Sequence, residues 1–304
     1  MSSSRVATPW YAGAMSPRTF LVTGGAGFIG SHLVEALLAR GDRVRVLDNF
    51  DSTYDPTIKR ARVRGEVVDG DIRDPIVVAD ALRGVDAIVH LAARAGVRQS
   101  FDDAAGYHAV NVEGTATLLR LRGGRPMVFA SSSSVYGVRR GEAFRESDPV
   151  APASPYAASK AAAEASCAGI AVVRLFTVYG PRQRPGMAME RFARQLRGAE
   201  PVTLYGDGSS VRDYTYVGDA VDGLLRALDH GPGLWNIAGG RSVALTEVVQ
   251  TLADVLGVAL RVVHLPDQMG DVPETRADLA RARADLEYVP RVGLREGLER
   301  LVGG

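Results

Sequence analysis

Tyr156 and Lys160 stand one helical turn apart in SPYAASK. On a helix that spacing places both side chains on one face. A tyrosine hydroxyl ordinarily titrates near 10 and is a poor base at neutral pH. An ammonium on the same face favours its phenolate. The pair therefore reads as a device for moving a proton to and from a substrate oxygen. The hydroxyl run Ser131–Ser134 precedes it, just before Val135–Tyr136–Gly137, and can supply a hydrogen bond to the same oxygen.

Gly24, Gly27 and Gly30 form G-x-x-G-x-x-G after an apolar run and before a stretch with helical spacing. Between the first strand and the helix of a βαβ unit, that triplet is a dinucleotide fingerprint. The turn needs a positive φ, the backbone must approach a pyrophosphate, and the helix must pack close on the strand. Free N–H groups and the positive dipole end then face the phosphates. Asp48 closes the next alternating run, RVRVLD, where a carboxylate accepts from both hydroxyls of a ribose. Its charge opposes a 2′-phosphate. Arg43 and Arg45 sit inside that run rather than after it, so NAD is expected over NADP. Asp71 and Ile72, in GDIRD after the third strand, are expected to border the adenine. A nicotinamide ring would add a second positive charge beside Tyr156.

These groups need a frame. Arg18–Thr23, the stretch SHLVEALLARG and RVRVLD read as strand, helix and strand, with Leu33, Leu37 and Leu38 apolar and Gly41 as the helix stop. The alternation continues through strands at Glu66–Asp69, Ala87–Leu91, Met127–Ser131 and Ala171–Phe176. Helices are expected at Pro75–Leu82, Ala104–Leu121 and Pro155–Ala165. This pattern predicts an α/β fold with a doubly wound parallel (Rossmann) sheet. After Tyr179, prolines and glycines mark a long loop. A helix at Met187–Leu196 and a strand at Pro201–Tyr205 follow. Beyond Arg241 come a helix at Leu245–Leu256, a strand at Leu260–His264 and a polar, proline-broken tail. Val217–Leu228 is expected to return to the large domain. The expected division is a flexible leader at 1–17, an NAD-binding domain at 18–178 with about 213–239, and a smaller α/β domain at 179–212 and 240–304.

Composition narrows the function classes. The 304 residues are 46% hydrophobic, with 36 Lys+Arg against 35 Asp+Glu. That balance offers no basic field for nucleic acid. One cysteine, Cys167, excludes a disulfide framework within the chain and a cysteine-rich metal site. No base stands near it in sequence, so it reads as a small packing residue rather than a nucleophile. The five histidines show no ligand spacing, and no metal is expected. Residues 1–17 lack the apolar core of a signal peptide, and no run approaches the ~20 apolar residues of a membrane span. The expected location is the cytoplasm.

Residues 18–290 resemble the extended short-chain dehydrogenases/reductases, the NAD-dependent nucleotide-sugar epimerases and dehydratases. The matching stretches are TGGAGFIGSHL, LDN, GDIRD, HLAARAGVRQS, NVEGT, FASSSSVYG, SPYAASK, RLFTVYGP and RDYTYVGD. AGVR after HLAA, and RLFTVYGPRQRPGMA, are most similar to the UDP-glucuronate 4-epimerase branch. The resemblance implies a 4-epimerase that holds NAD and a UDP-sugar, UDP-glucuronate in particular. By resemblance Tyr156 is the base, Lys160 tunes it and holds the nicotinamide ribose, and Ser132 is the catalytic hydroxyl. Phe28, Ile29, Asn49, Leu91, Ala92 and Ala93 join the glycines, Asp48, Asp71 and Ile72 as cofactor contacts. Ser133, Ser134, Thr177 and Arg184 fall where a carboxylate is held, and Arg98, Met187, Arg212 and Asp271 where the sugar and its UDP lie. Related dehydratases carry an Asp-Glu pair in the serine cluster and decarboxylases a Glu near Ser134; this chain has neither. UDP-glucose 4-epimerases typically carry Asn in place of Thr177. A non-catalytic NAD sensor is disfavoured by the intact Ser132, Tyr156 and Lys160. The family dimerises through a helix bundle, which makes a homodimer an expectation. The segments Asn111–Met127 and Tyr156–Arg174, which supply that bundle, are shorter here than in the family.

Overall fold

The first βαβ unit grows from the residues that predict it. Strand β1 (Thr19–Thr23) is buried over Phe20–Thr23, helix α1 (Phe28–Ala39) buries Leu33, Val34 and Leu37, and strand β2 (Arg43–Asp48) pairs parallel with β1. The structure, a computed structural model, describes residues 17–267, 270 and 272–303. The unit then repeats with α2 (Pro56–Arg62), β3 (Glu66–Asp69), α3 (Pro75–Ala81) and β4 (Ala87–His90). Asp55 and Asp74 cap α2 and α3 by accepting backbone N–H bonds, and a proline opens each.

Two short helices, α4 (Gln99–Asp102) and α5 (Ala104–His108), lead through a π-helical turn at Ala109–Gly114 into α6 (Thr115–Leu121). The single helix expected at 104–121 is thus wound more widely in its middle. That widening accompanies the buried Asn111, whose amide bonds Ser159 and the Arg94 backbone. Strand β5 (Met127–Ser132), helix α7 (Pro155–Ala165) and strand β6 (Ala171–Leu175) follow.

The second half begins with β7 (Val178–Tyr179), α8 (Ala188–Arg197), β8 (Val202–Tyr205), β9 (Val211–Asp213) and β10 (Thr215–Tyr216). It continues with α9 (Val217–His230), β11 (Gly233–Ile237), β12 (Ser242–Ala244), α10 (Leu245–Leu256), β13 (Val262–Leu265), α11 (Ala280–Leu286) and α12 (Leu294–Gly303). Helix α9 packs against α1 and β6. The polar, proline-broken tail carries α11 and α12. Ala282, Leu286 and Leu298 bury themselves in the core and hold those helices down.

Seven strands form one sheet in the order β11-β6-β5-β4-β1-β2-β3, and every neighbouring pair is parallel. The crossovers reverse direction between β1 and β4. In such a sheet the crevice outside the carboxyl ends at the reversal is where ligands bind. Helices cover both faces. One apolar cluster holds Phe20, Val22, Val46, Val89 and Val128, the other Leu21, Leu47, Ile88, Phe129 and Val172. Burial on both faces is why the central strands β1, β4, β5 and β6 read as apolar runs, while β2, next to the edge strand, alternates. Among the described residues no helix is long and apolar enough to cross a membrane.

Candidate active site

A cavity of about 750 Å³ opens over the carboxyl ends of β1 to β6. Its floor is the glycine turn. Gly24 adopts φ +70°, and a Cβ there would lie 2.7 Å from the Ala92 nitrogen. A Cβ on Gly30 would lie 2.2 Å from the Gly24 carbonyl oxygen, so only glycine lets α1 sit this close to β1. Gly27, at the N-cap of α1, offers no side chain to the first turn. The N–H groups of that turn are left to a ligand. Phe28 and Ile29 line the same wall.

Asp48 ends β2 with only 9% of its surface exposed. Its carboxylate accepts from Ala26 N at 3.1 Å and Phe50 N at 2.9 Å. Burial raises its pKa; the two backbone donors and Lys59 oppose that rise. Asn49 donates to Asp71 at 3.2 Å, Ile72 packs beneath, and Leu91, Ala92 and Ala93 form the opposite side. A cradle that any Cβ would fill, a helix N-terminus and a buried carboxylate one strand away together suit the pyrophosphate and adenosine ribose of NAD.

Helix α7 supplies the other wall. Ser154 caps it by accepting from Ala157 N at 3.1 Å, and Pro155 opens it. This sets Tyr156 and Lys160 on the cavity, facing the end of β5. The Ser132 hydroxyl bonds Tyr156, and Ser134 Oγ donates to Ser132 Oγ at 2.8 Å. Burial raises the Tyr156 phenol above its ordinary value; the Ser132 bond and the Arg184 charge act to lower it. The Arg184 charge bears on the phenol as well, which the sequence did not signal. The Lys160 ammonium, one turn along α7, lies over the Phe129 ring at 4.3 Å, and burial brings its pKa down to about 8.

Arg184 reaches the cavity from the loop before α8 and donates to the Ala95 carbonyl at 2.9 Å. Among the described residues it has no carboxylate within ion-pair distance. Ser133, Ser134, Thr177, Met187 and Arg212 line the same region. Arg98 is not on this wall; its guanidinium stands 4.8 Å over the Tyr205 ring. Asp271 lies outside the described residues. Cys167 is buried, and its thiol is pushed up to about 12 by that burial, which suits a packing residue. Among the described residues no group of three His, Cys, Asp or Glu could hold a metal.

Several residues that shape the site are not picked out by any motif in the sequence. Glu164 accepts from Arg174 through both carboxylate oxygens and from Ser131 Oγ at 2.6 Å, tying α7 to β5 and β6. Arg174 also covers the Tyr136 ring at 4.6 Å. Tyr107 meets the Tyr156 ring edge-on at 6.2 Å, and Arg94 lies over Tyr107 at 4.9 Å. Lys59 pairs with Asp51 at 2.7 Å on the cofactor side. A basic or acidic residue inside a predicted buried helix or strand was the one usable clue, and Glu164 and Arg174 fit it.

The sequence profile of the NAD dependent epimerase/dehydratase family matches residues 20–238. UDP-glucuronate 4-epimerase 1 of Arabidopsis thaliana is 39% identical, over 93% of this chain and 75% of that protein. The UDP-glucuronate 4-epimerase of Thermodesulfobacterium geofontis (strain OPF15) is 34% identical, over 93% of this chain and 94% of its own. The crystal structure of UDP-glucuronic acid 4-epimerase from Bacillus cereus, in complex with UDP-glucuronic acid and NAD, superposes with a TM-score of 0.88. It is 33% identical and the match covers 94% of this chain and 98% of that one.

Proposed function

The chain belongs to the NAD-dependent epimerase/dehydratase family, and we propose that it interconverts UDP-glucuronate and UDP-galacturonate by inverting C4. The relatives named for that reaction support this reading, as does the uronate complex of the Bacillus cereus enzyme. The observation that carries it is Arg184, a guanidinium beside Tyr156 with no acidic partner among the described residues.

When bound, NAD supplies a hydride acceptor at C4 of the sugar and a positive ring next to the phenol. Tyr156 removes the proton from the 4-hydroxyl, and Ser132 holds that oxygen by a hydrogen bond. Lys160, on the same helix face, serves the nicotinamide ribose hydroxyls. The 4-keto sugar turns over while Arg212 and Met187 keep the UDP end in place. Tyr156 then returns its proton as hydride reaches the opposite face of C4. Atoms balance without net oxidation, so NAD stays bound between turnovers. Residues 18–178 with about 213–239 serve the cofactor, and 179–212 with 240–304 serve the UDP-sugar, in the cytoplasm.

A uronate makes a particular demand. Its 4-keto form is a β-keto acid, which loses CO₂ when the carboxylate is desolvated and perpendicular to the ketone. Ser133, Ser134, Thr177 and Arg184 meet that demand by holding the carboxylate in place with charge-assisted bonds, about twice as strong as neutral ones. Among the described residues the carboxylates lining the cavity are Asp48, Asp51 and Asp71, all at its β2–β3 end. None stands by the serines to expel water, so dehydration is not favoured. The test compares kcat/KM on UDP-glucuronate and UDP-glucose. Wild type should prefer the uronate, and Arg184→Ala should lose about 5- to 150-fold on it, the worth of a hydrogen bond to a charge at 1–3 kcal/mol. Equal losses on both sugars would remove the carboxylate pocket.

A further inference from the structure

The segment that carries Arg184 leaves β7 and lies back across the cofactor domain before α8 begins. It is fastened there by residues that do not line the cavity. His32 Nε2 meets the Pro181 carbonyl at 2.9 Å, and Arg182 Nη2 meets His32 Nδ1 at 3.1 Å. Arg182 also pairs with both carboxylate oxygens of Glu35, one turn along α1 from His32. Arg62, the last residue of α2, donates to the Arg182 carbonyl at 2.8 Å. Arg182 itself holds φ +65°, in the left-handed region. A residue with a Cβ persists there only where its surroundings over-determine it.

The chemistry fixes the state of His32. A carbonyl can only accept, so Nε2 carries the hydrogen. A guanidinium can only donate, so Nδ1 is bare. The ring must be neutral for both bonds to exist. Protonated, it would aim a second N–H at the Arg182 guanidinium. The charges facing it are Glu35 from its own helix, Arg182 from the crossing segment and Arg62 from α2, with Arg64 acting on Glu35. The Phe28 ring meets it edge-on at 6.0 Å.

We infer that His32, Glu35 and Arg182 are positioning residues that hold segment 180–186 on the NAD-binding helix and so set Arg184 in the substrate cavity, and that protonating His32 loosens this hold. The consequence for the reaction rests on reading Arg184 as the uronate's partner; the consequence for the segment does not. Closure favours the neutral ring, and burial lowers the His32 pKa further below its ordinary 6.5. The hold is therefore complete above pH 6.5 and weakens as pH falls below it.

Two measurements on the NAD-loaded protein test this. The first is hydrogen–deuterium exchange of the peptide spanning 180–187, without sugar, between pH 5.5 and 8 and corrected for intrinsic rates. Wild type should exchange faster below pH 6.5. His32→Gln, which can still donate but does not titrate, should lack that acid step, and Arg182→Ala should exchange fast throughout. The second is the split between KM and kcat for UDP-glucuronate. Arg182→Ala should raise KM about fivefold or more, the worth of one ordinary hydrogen bond, with kcat changing far less. Exchange that is equal in wild type, His32→Gln and Arg182→Ala at every pH overturns the inference. Exchange as expected, with turnover on a sugar other than the uronate, keeps the positioning role and sinks only the substrate reading.

Discussion

Tyr156 is pulled in opposite directions by its surroundings. Burial stabilises the phenol, while the Ser132 bond and the Arg184 charge favour the phenolate. With Ser132 and Arg184 in place the phenol still lies above its ordinary value, so the further positive charge of a bound nicotinamide ring is what would favour its ionisation. Tyr156→Phe should therefore lower kcat by about 10²-fold or more, the usual worth of a positioned acid/base, and leave the dissociation constant for UDP-glucuronate nearly unchanged. Titration calorimetry beside a turnover assay reads both; near wild-type turnover would take Tyr156 out of the mechanism. Tyr156, Lys160, the glycines and Asp48, which the fold brings to one cavity, could be picked out in the sequence because each proposed role dictates a local pattern. A turn against a phosphate needs glycines at set spacings, and two groups on one helix face need one turn between them. Arg94, Tyr107 and Arg182 had no such pattern. Their roles come from partners brought close by the fold, as when Arg182 meets Glu35 across 147 residues of chain.

At the scale of elements, apolar periodicity was enough for the strands and longer helices of the sheet, since burial on one or both faces writes itself into the residue order. It was not enough for the π-helical turn at Ala109–Gly114, which answers to Asn111 bonding Ser159 on a different helix. Nor could it reveal α11 and α12, held by a few buried side chains against a core built earlier in the chain. The clamp between elements is the Glu164–Arg174 pair, which joins α7 to β6 beneath the serine cluster, with Arg174 only 3% exposed. Arg174→Ala leaves the Glu164 carboxylate largely buried without its counter-charge. Removing one partner of a buried pair costs about 3–5 kcal/mol, so the urea midpoint should fall markedly. A midpoint within experimental error of wild type would show that the pair does not clamp these elements.

The whole molecule solves a problem of assembly. The sheet reverses its crossovers between β1 and β4, and the crevice there collects the glycine turn, Asp48, the serines, Tyr156 and Lys160 from the ends of successive strands and the helix behind them. Thr177, just past β6, and Arg184 and Arg212 from the second half then line the same opening. Such an enclosure keeps a reactive ketone and a reduced cofactor together until hydride returns. In the proposed reaction hydride leaves C4 and comes back to the same carbon within one binding event. The direct measurement is NMR of the products formed in ordinary water from UDP-glucuronate carrying deuterium at C4. The expected product is UDP-galacturonate with deuterium still at C4, with no CO₂ and no accumulation of free reduced cofactor. Protium at C4, release of CO₂, or no UDP-galacturonate at all would contradict it.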